Sequence, residues 1–160
     1  MFYEGQHDDY SGIGMDSSDA KVLAELLKAK SFGSMLEHNS TLTFLNLSDN
    51  QMKAEGAAAL ADGLKANSTV QQLHPFGNKI PEDTLRTIMN SNKNISNFGG
   101  AVKLDYSGIG MDSSDAKVLA ELLKANITVQ WLDASVNGLD QASKDGLTKA
   151  KPPQLVTLKL

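Results

Sequence analysis

A chain of 160 residues and 17.1 kDa fits one domain able to bury a sizeable core. Fifteen Lys and Arg face 19 acidic residues, a net charge of -4 with a pI of about 5.3, which excludes the basic footprint that holds nucleic acid or anionic lipid. The absence of cysteine excludes a disulfide framework, a thiolate metal site and a cysteine nucleophile, and suits a reducing compartment.

The N-terminus is polar and acidic through Glu4, Asp8 and Asp9, without the cationic start and apolar stretch of a secretory signal. The longest apolar run, Ala57–Ala61, cannot cross a bilayer. These features predict a soluble, cytoplasmic protein without nucleic-acid or membrane partners, formed as one domain over 1–160.

Internal repetition dominates the rest of the chain. Asp9–Ala29 recurs unchanged as Asp105–Ala125, the mark of a recent duplication or a deliberate assembly. Beneath it runs a looser period. Leu42, Leu45, Leu47, Asn50 and Met52 have the spacing L-x-x-L-x-L-x-x-N-x-L. Val70, Leu73, Pro75, Asn78 and Ile80 repeat it, and so do Val102, Leu104, Ser107 and Ile109, then Val129, Leu132, Ala134, Asn137 and Leu139. Leu155, Leu158 and Leu160 begin a further, truncated copy. A unit this long holds one short period-2 strand and one helix, so the chain is α/β.

In chain order, residues 1–39 form an irregular N-terminal repeat or cap. The template there places Tyr3, Gln6 and Asp8 at core positions, and surplus chain lies between Ala29 and Asn39. Residues 40–160 carry the regular repeats. Helical stripes come after the strands at Leu60, Ala61 and Leu64, at Leu85, Ile88 and Met89, and at Val118, Leu119, Leu122 and Leu123. Asp112 or Ser113 caps the helix over the second duplicate, and Pro81 opens another, with Glu82 and Asp83 behind it. Pro75 stands at a strand core position, where it removes a ladder donor, so this strand is predicted to be bent or interrupted.

The leucine ladder, the Asn50, Asn78 and Asn137 column, and segments such as Glu55–Leu73 resemble the leucine-rich repeat family, in its ribonuclease-inhibitor-like branch with repeats near 28 residues. The resemblance implies a horseshoe arc of four to five repeats, with a parallel sheet on the concave side and α-helices outside. Asparagine in the fixed column satisfies backbone groups of successive turns, and Ser11 and Ser107 take its place in the duplicated unit.

Other signals read as structural. N-x-S/T triplets begin at Asn39, Asn46, Asn67, Asn94 and Asn126; most fall where helix gives way to strand, a place for an asparagine in a left-handed turn. Gly12 and Gly14 lack the lysine of a phosphate loop, and Asp16 and Asp19 read as helix caps, not calcium ligands. His7, His38 and His74 show no metal spacing, and a trio of Ser48, His74 and Asp105 would share a face only through repetition. Neither a catalytic nor a cofactor or metal site is predicted.

Strand alternation instead predicts a binding face. The residues between the ladder positions read Phe44, Gln72, Ala101, Trp131 and Thr157 in one row, and Asn46, His74, Lys103, Asp133 and Lys159 in the next. Beyond the ladder, Phe76 and Tyr106 are expected on the same side. Phe44, Asn46, His74, Phe76, Lys103, Tyr106, Trp131 and Asp133 are thus the candidate partner-binding residues, with the aromatics as anchors for a protein partner. A second expectation is self-assembly: the strand at Leu155–Leu160 lacks a polar cap, and its edge could pair with another copy or mark a fragment of a larger receptor.

Overall fold

The computed structural model describes residues 6–21, 42–91 and 93–160. Strands β1 (Gln6–Asp9), β2 (Leu42–Asn46) and β3 (Gln72–His74) form one parallel three-stranded sheet. Strands β4 (Lys103–Asp105), β5 (Trp131–Asp133) and β6 (Thr157–Lys159) form a second. The helices are α1 (Lys53–Ala66), α2 (Glu82–Met89), the single turn α3 (Lys93–Ser96) with a 3-10 turn after it at Phe98–Gly100, α4 (Ser113–Ala125) and α5 (Gln141–Ala150). Residues 17–21 are also helical. Tyr3 and the surplus segment Ala29–Asn39 lie outside the described residues.

The helical stripes do what their spacing predicts. Leu60, Ala61 and Leu64 of α1, Leu85, Ile88 and Met89 of α2, and Val118, Leu119, Leu122 and Leu123 of α4 are all buried, in one core with the strand leucines Leu45, Leu73, Leu104 and Leu132. Each of these side chains larger than alanine contributes about 1.5–3 kcal/mol on leaving water. Helix α1 packs on α2, α2 on α4 and α4 on α5, so the helices keep the order of the strands. Asp112 caps α4 in a reciprocal box: its side chain accepts from the amides of Ser114 and Asp115, and Asp115 accepts from the amide of Asp112.

The register corrects the fourth repeat. Leu104, not Val102, lies opposite Leu132, and Val102 is exposed. The whole unit therefore moves by two residues. Tyr106 takes the second core position, and Ile109 stands in the asparagine column where Ser107 was expected; by the same count, with Asp8 opposite Leu45, Ile13 replaces Ser11 there. Ser11 and Ser107 serve a different turn, each donating to an aspartate two residues earlier.

Where the asparagine is present, it joins adjacent turns. The Nδ2 of Asn50 donates to the Tyr10 carbonyl at 2.7 Å, that of Asn78 to Leu47 at 2.7 Å, and that of Asn137 to Tyr106 at 2.7 Å. Their Oδ1 atoms accept from the amides of Met15, Met52 and Met111. Asparagines 67 and 126 at the ends of α1 and α4 also act through their side chains. Their backbones are extended, not left-handed as expected, and each Oδ1 accepts from the two amides that lead into the next strand.

Between β3 and β4 the sheet is broken, and the cause is Pro75. At the equivalent position Tyr10, Leu47, Tyr106 and Ala134 each donate an amide to the carbonyl of the next strand, at 2.8–2.9 Å. Proline has no N–H to give. Two residues on, the amides of Gly12, Asp49 and Gly108 find carbonyls of Ser48, Phe76 and Ser135, whereas the amide of Gly77 donates to the Oδ2 of Asp115 at 2.9 Å. With Ile109 in the asparagine column, the side-chain link is missing at this junction as well. The expected interruption at Pro75 is thus a division into two sheets.

Candidate functional site

Two strand rows face away from the helices. The register sets Phe44 beside Gln72, and Lys103 beside Trp131 and Thr157; one step along, Asn46 lies beside His74, and Asp105 beside Asp133 and Lys159. Lys103 therefore belongs in the row of Trp131, not that of Asp133 as expected, and Ala101 lies outside the strand.

Trp131 is the centre of the second sheet. Partly exposed, it carries the Lys103 ammonium 4.2 Å from its ring centroid and that of Lys159 5.0 Å away. Cations over an indole face are attracted by its negative quadrupole. Lys159 also pairs with Asp133 at 3.0 Å. The Ser135 hydroxyl, with Lys159 adding to it, holds the Asp133 carboxyl at about 2, so this carboxylate is charged throughout the physiological range.

A motif independent of the leucine ladder runs along the second row. Asp9, Asn46, Asp105 and Asp133 each accept from the backbone amide and the hydroxyl of the serine two residues on, Ser11, Ser48, Ser107 and Ser135. These Asx turns end the strands, and ladder spacing alone misses them, although the recurrent D/N-x-S is legible in the sequence. At the third turn His74 and Phe76 replace the pair.

That replacement moves two expected aromatic anchors inward. Phe76 and Tyr106 are fully buried, and His74 is 9% exposed. Their rings form an edge-to-face series across the break: Phe44 to His74 at 5.0 Å, His74 to Tyr106 at 4.9 Å, Tyr106 to Phe76 at 5.0 Å. Packing requires these residues because no backbone ladder fills the space between β3 and β4. Burial lowers the His74 imidazole to about 4, with Asp9 opposing, so the ring is neutral at pH 7; its Nε2 lies 2.9 Å from the Gln72 amide nitrogen. Of the predicted residues, Phe44, Asn46, Lys103 and Trp131 stay at least partly exposed, and Asp133 is largely covered.

A hydrolytic trio is not assembled. Ser48 Oγ donates to Asn46 and Asp105 accepts from Ser107, while His74 is held by Gln72. Among the described residues no cluster of three or more His, Asp or Glu could hold a metal ion, and no helix is long and apolar enough to cross a membrane.

Residues 38–61 match a family model described as Leucine Rich repeat. The match covers Leu42, Leu45, Leu47, Asn50 and Met52, the strand β2 and the start of α1. No curated protein matches the chain. A leucine-rich repeat is therefore present at residues 38–61.

Proposed function

We propose that the chain is a single cytoplasmic domain, an arc of four to five leucine-rich repeats of the ribonuclease-inhibitor-like branch, and that its open strand face binds a protein partner without catalysis. Repeat stacks present extended surfaces, and proteins carrying leucine-rich repeats commonly mediate protein–protein interaction. The observation that carries the reading is Trp131, an aromatic side chain on the open face, approached by Lys103 and Lys159 and surrounded by polar groups. Rigid, partly exposed aromatics with a polar rim are what binding anchors require. Phe44, Asn46, Lys103, Trp131 and Asp133 line this surface; His74, Phe76 and Tyr106 support it from below. The reading assigns the chain a protein partner, and no nucleic acid, membrane or cofactor.

The test is Phe44→Ala with Trp131→Ala, compared with the wild type by cross-linking and affinity capture from cell extract. Proteins captured by the wild type are lost by the variant, with circular dichroism and melting temperature nearly unchanged. A large drop in melting temperature would assign both rings to packing.

A second reading rests on β6, which pairs with β5 on one side and has no strand on its other side among the described residues. Leu158 on it and Leu160 just after it are only partly buried. This edge can accept a second copy of the chain as a homodimer. Light scattering over a concentration series tests it, and a constant monomer mass rejects it.

A further inference from the structure

The two sheets share one hydrophobic core but no strand ladder, and specific polar and aromatic contacts cross the junction between them. On the helix side, Arg86 bridges to Glu121 through Nε and Nη2 at 2.9 Å, and Lys117 pairs with Glu82 at 3.2 Å. These pairs are substantially exposed and individually weak. On the strand side stand the edge-to-face contacts of Tyr106 with His74 and Phe76, and a hydrogen bond from the Gly77 amide to Asp115. Asp115 is 1% exposed, and its Oδ1 has no hydrogen-bond partner. Its twin in the first duplicate, Asp19, is exposed.

We propose that the molecule opens at this junction as two three-stranded halves hinged on the α2–α4 side, and that Asp115 and His74, one from each half, become ionised when it opens. In the closed form both are desolvated: Asp115 has no cation beside it, and the Asp9 carboxylate only partly offsets the burial of His74. Opening lets water reach them, and no strand ladder has to be broken.

The surrounding charges agree. Burial pushes the Asp115 carboxyl up to about 7, against the amides of Gly77 and Asp112, and the Asp112 carboxylate adds to the rise. His74 is lowered by burial to about 4, and the Asp9 carboxylate on β1 opposes the shift. Around them, Tyr106 is raised well above the usual phenol range by burial and stays protonated. Asp49 lies over the neighbouring turns, within 3.7 Å of where a Cβ on Gly12 or Gly110 would be. Lys79, on the β3 turn, is exposed, and Glu82 at the start of α2 is engaged by Arg86 and Lys117.

The proton count gives the proposal its signature. From pH 4 to pH 6.5, opening releases a proton from Asp115 and takes one up on His74, so the opening equilibrium of the wild type is nearly level. Replacing either residue unmasks the other. With His74→Gln, opening becomes about tenfold more favourable per pH unit as the pH rises through this window; with Asp115→Asn it becomes about tenfold less favourable per unit.

Native-state amide hydrogen exchange by NMR, corrected for intrinsic rates, reads this directly. The Gly77 amide reports the junction, and the amides of Leu47 and Tyr106, bonded to His74 and Asp133 within the two halves, report wider unfolding. We expect Gly77 to be at least about tenfold less protected than either, with the two opposed slopes in the variants and a level profile in the double variant. Equal protection and equal denaturant dependence at all three amides would overturn the proposal, as would level profiles in both single variants. Should Asp115→Asn fail to fold by circular dichroism, His74→Gln keeps the Gly77 bond and supplies the same test alone.

Discussion

The amide of Gly77 donates to the Oδ2 of the Asp115 carboxyl across 2.9 Å, in the position where the amides of Gly12, Asp49 and Gly108 meet a backbone carbonyl of the next strand. A side chain from the cap of α4 thereby substitutes for a ladder bond that the β3–β4 junction lacks. The turn carrying Gly77 comes so close to its neighbour that a Cβ there would lie 1.8 Å from the Ile109 carbonyl oxygen, and its φ is +78°.

Gly77→Ala therefore combines a left-handed backbone with a clash against main chain, and is expected to cost about 3 kcal/mol or more. Gly108→Ala has a similar φ of +64° and open space around it. It should cost about 1 kcal/mol. Urea denaturation of the two variants separates backbone strain from the close approach; equal losses would deny that the junction is tightly packed at Gly77.

Tyr106 places its hydroxyl in the core with no partner among the described residues. Tyr106→Phe keeps the ring contacts with His74 and Phe76 and removes a desolvated polar atom. A gain of about 1 kcal/mol in unfolding free energy is expected. A loss of that size would reveal a hydrogen bond made by the hydroxyl.

Val136 has a φ of 63° and is 85% exposed. Gly12, Gly77 and Gly108 take this conformation at the same place in their turns, where a β-branched side chain crowds the backbone. Val136→Gly is expected to stabilise the protein by about 0.5–1 kcal/mol, the relief of strain being partly offset by the freer unfolded chain. Thermal melts of the two proteins at one pH decide it.

Global stability should track the same two buried groups as the junction. The raised Asp115 carboxyl contributes stability that is complete below pH 3.8 and is lost as the pH climbs through about 7. His74, depressed to about 4, favours the fold above pH 6.5 and loses that contribution as the pH falls through about 4. The slopes cancel in the wild type between pH 4 and 6.5. Asp115→Asn removes the opposing group, so between pH 4.5, below which Glu82 and Glu121 also titrate, and pH 6.5 the unfolding free energy should fall by up to about 1.4 kcal/mol for each unit of acidification. Denaturant titrations at several pH values check the sign.

Much of this molecule was legible from residue spacing. The helices announced themselves through Leu60, Ala61 and Leu64 or Leu85, Ile88 and Met89, because helical period and a single buried face leave few alternatives. The asparagine column and the interruption at Pro75 came equally from hydrogen-bond capacity, a local property of each side chain. At the candidate site the same alternation placed Phe44 and Trp131 in outward rows of their strands.

Only the tertiary structure decided the register of β4. Val102 and Leu104 are both apolar and two residues apart, so alternation alone places either one opposite Leu132. That choice moved Tyr106 inward and put Lys103 beside Trp131. The burial of Phe76, His74 and Asp115 depends on what occupies the gap left by the missing ladder, which is fixed by neighbours distant in sequence. The duplicate makes the distinction plain: Asp19 and Asp115 stand in the same 21 residues, yet one is exposed and the other enclosed by the turn of Gly77. Identical sequence gave both the same cap; the neighbouring repeat alone determined which became a buried acid.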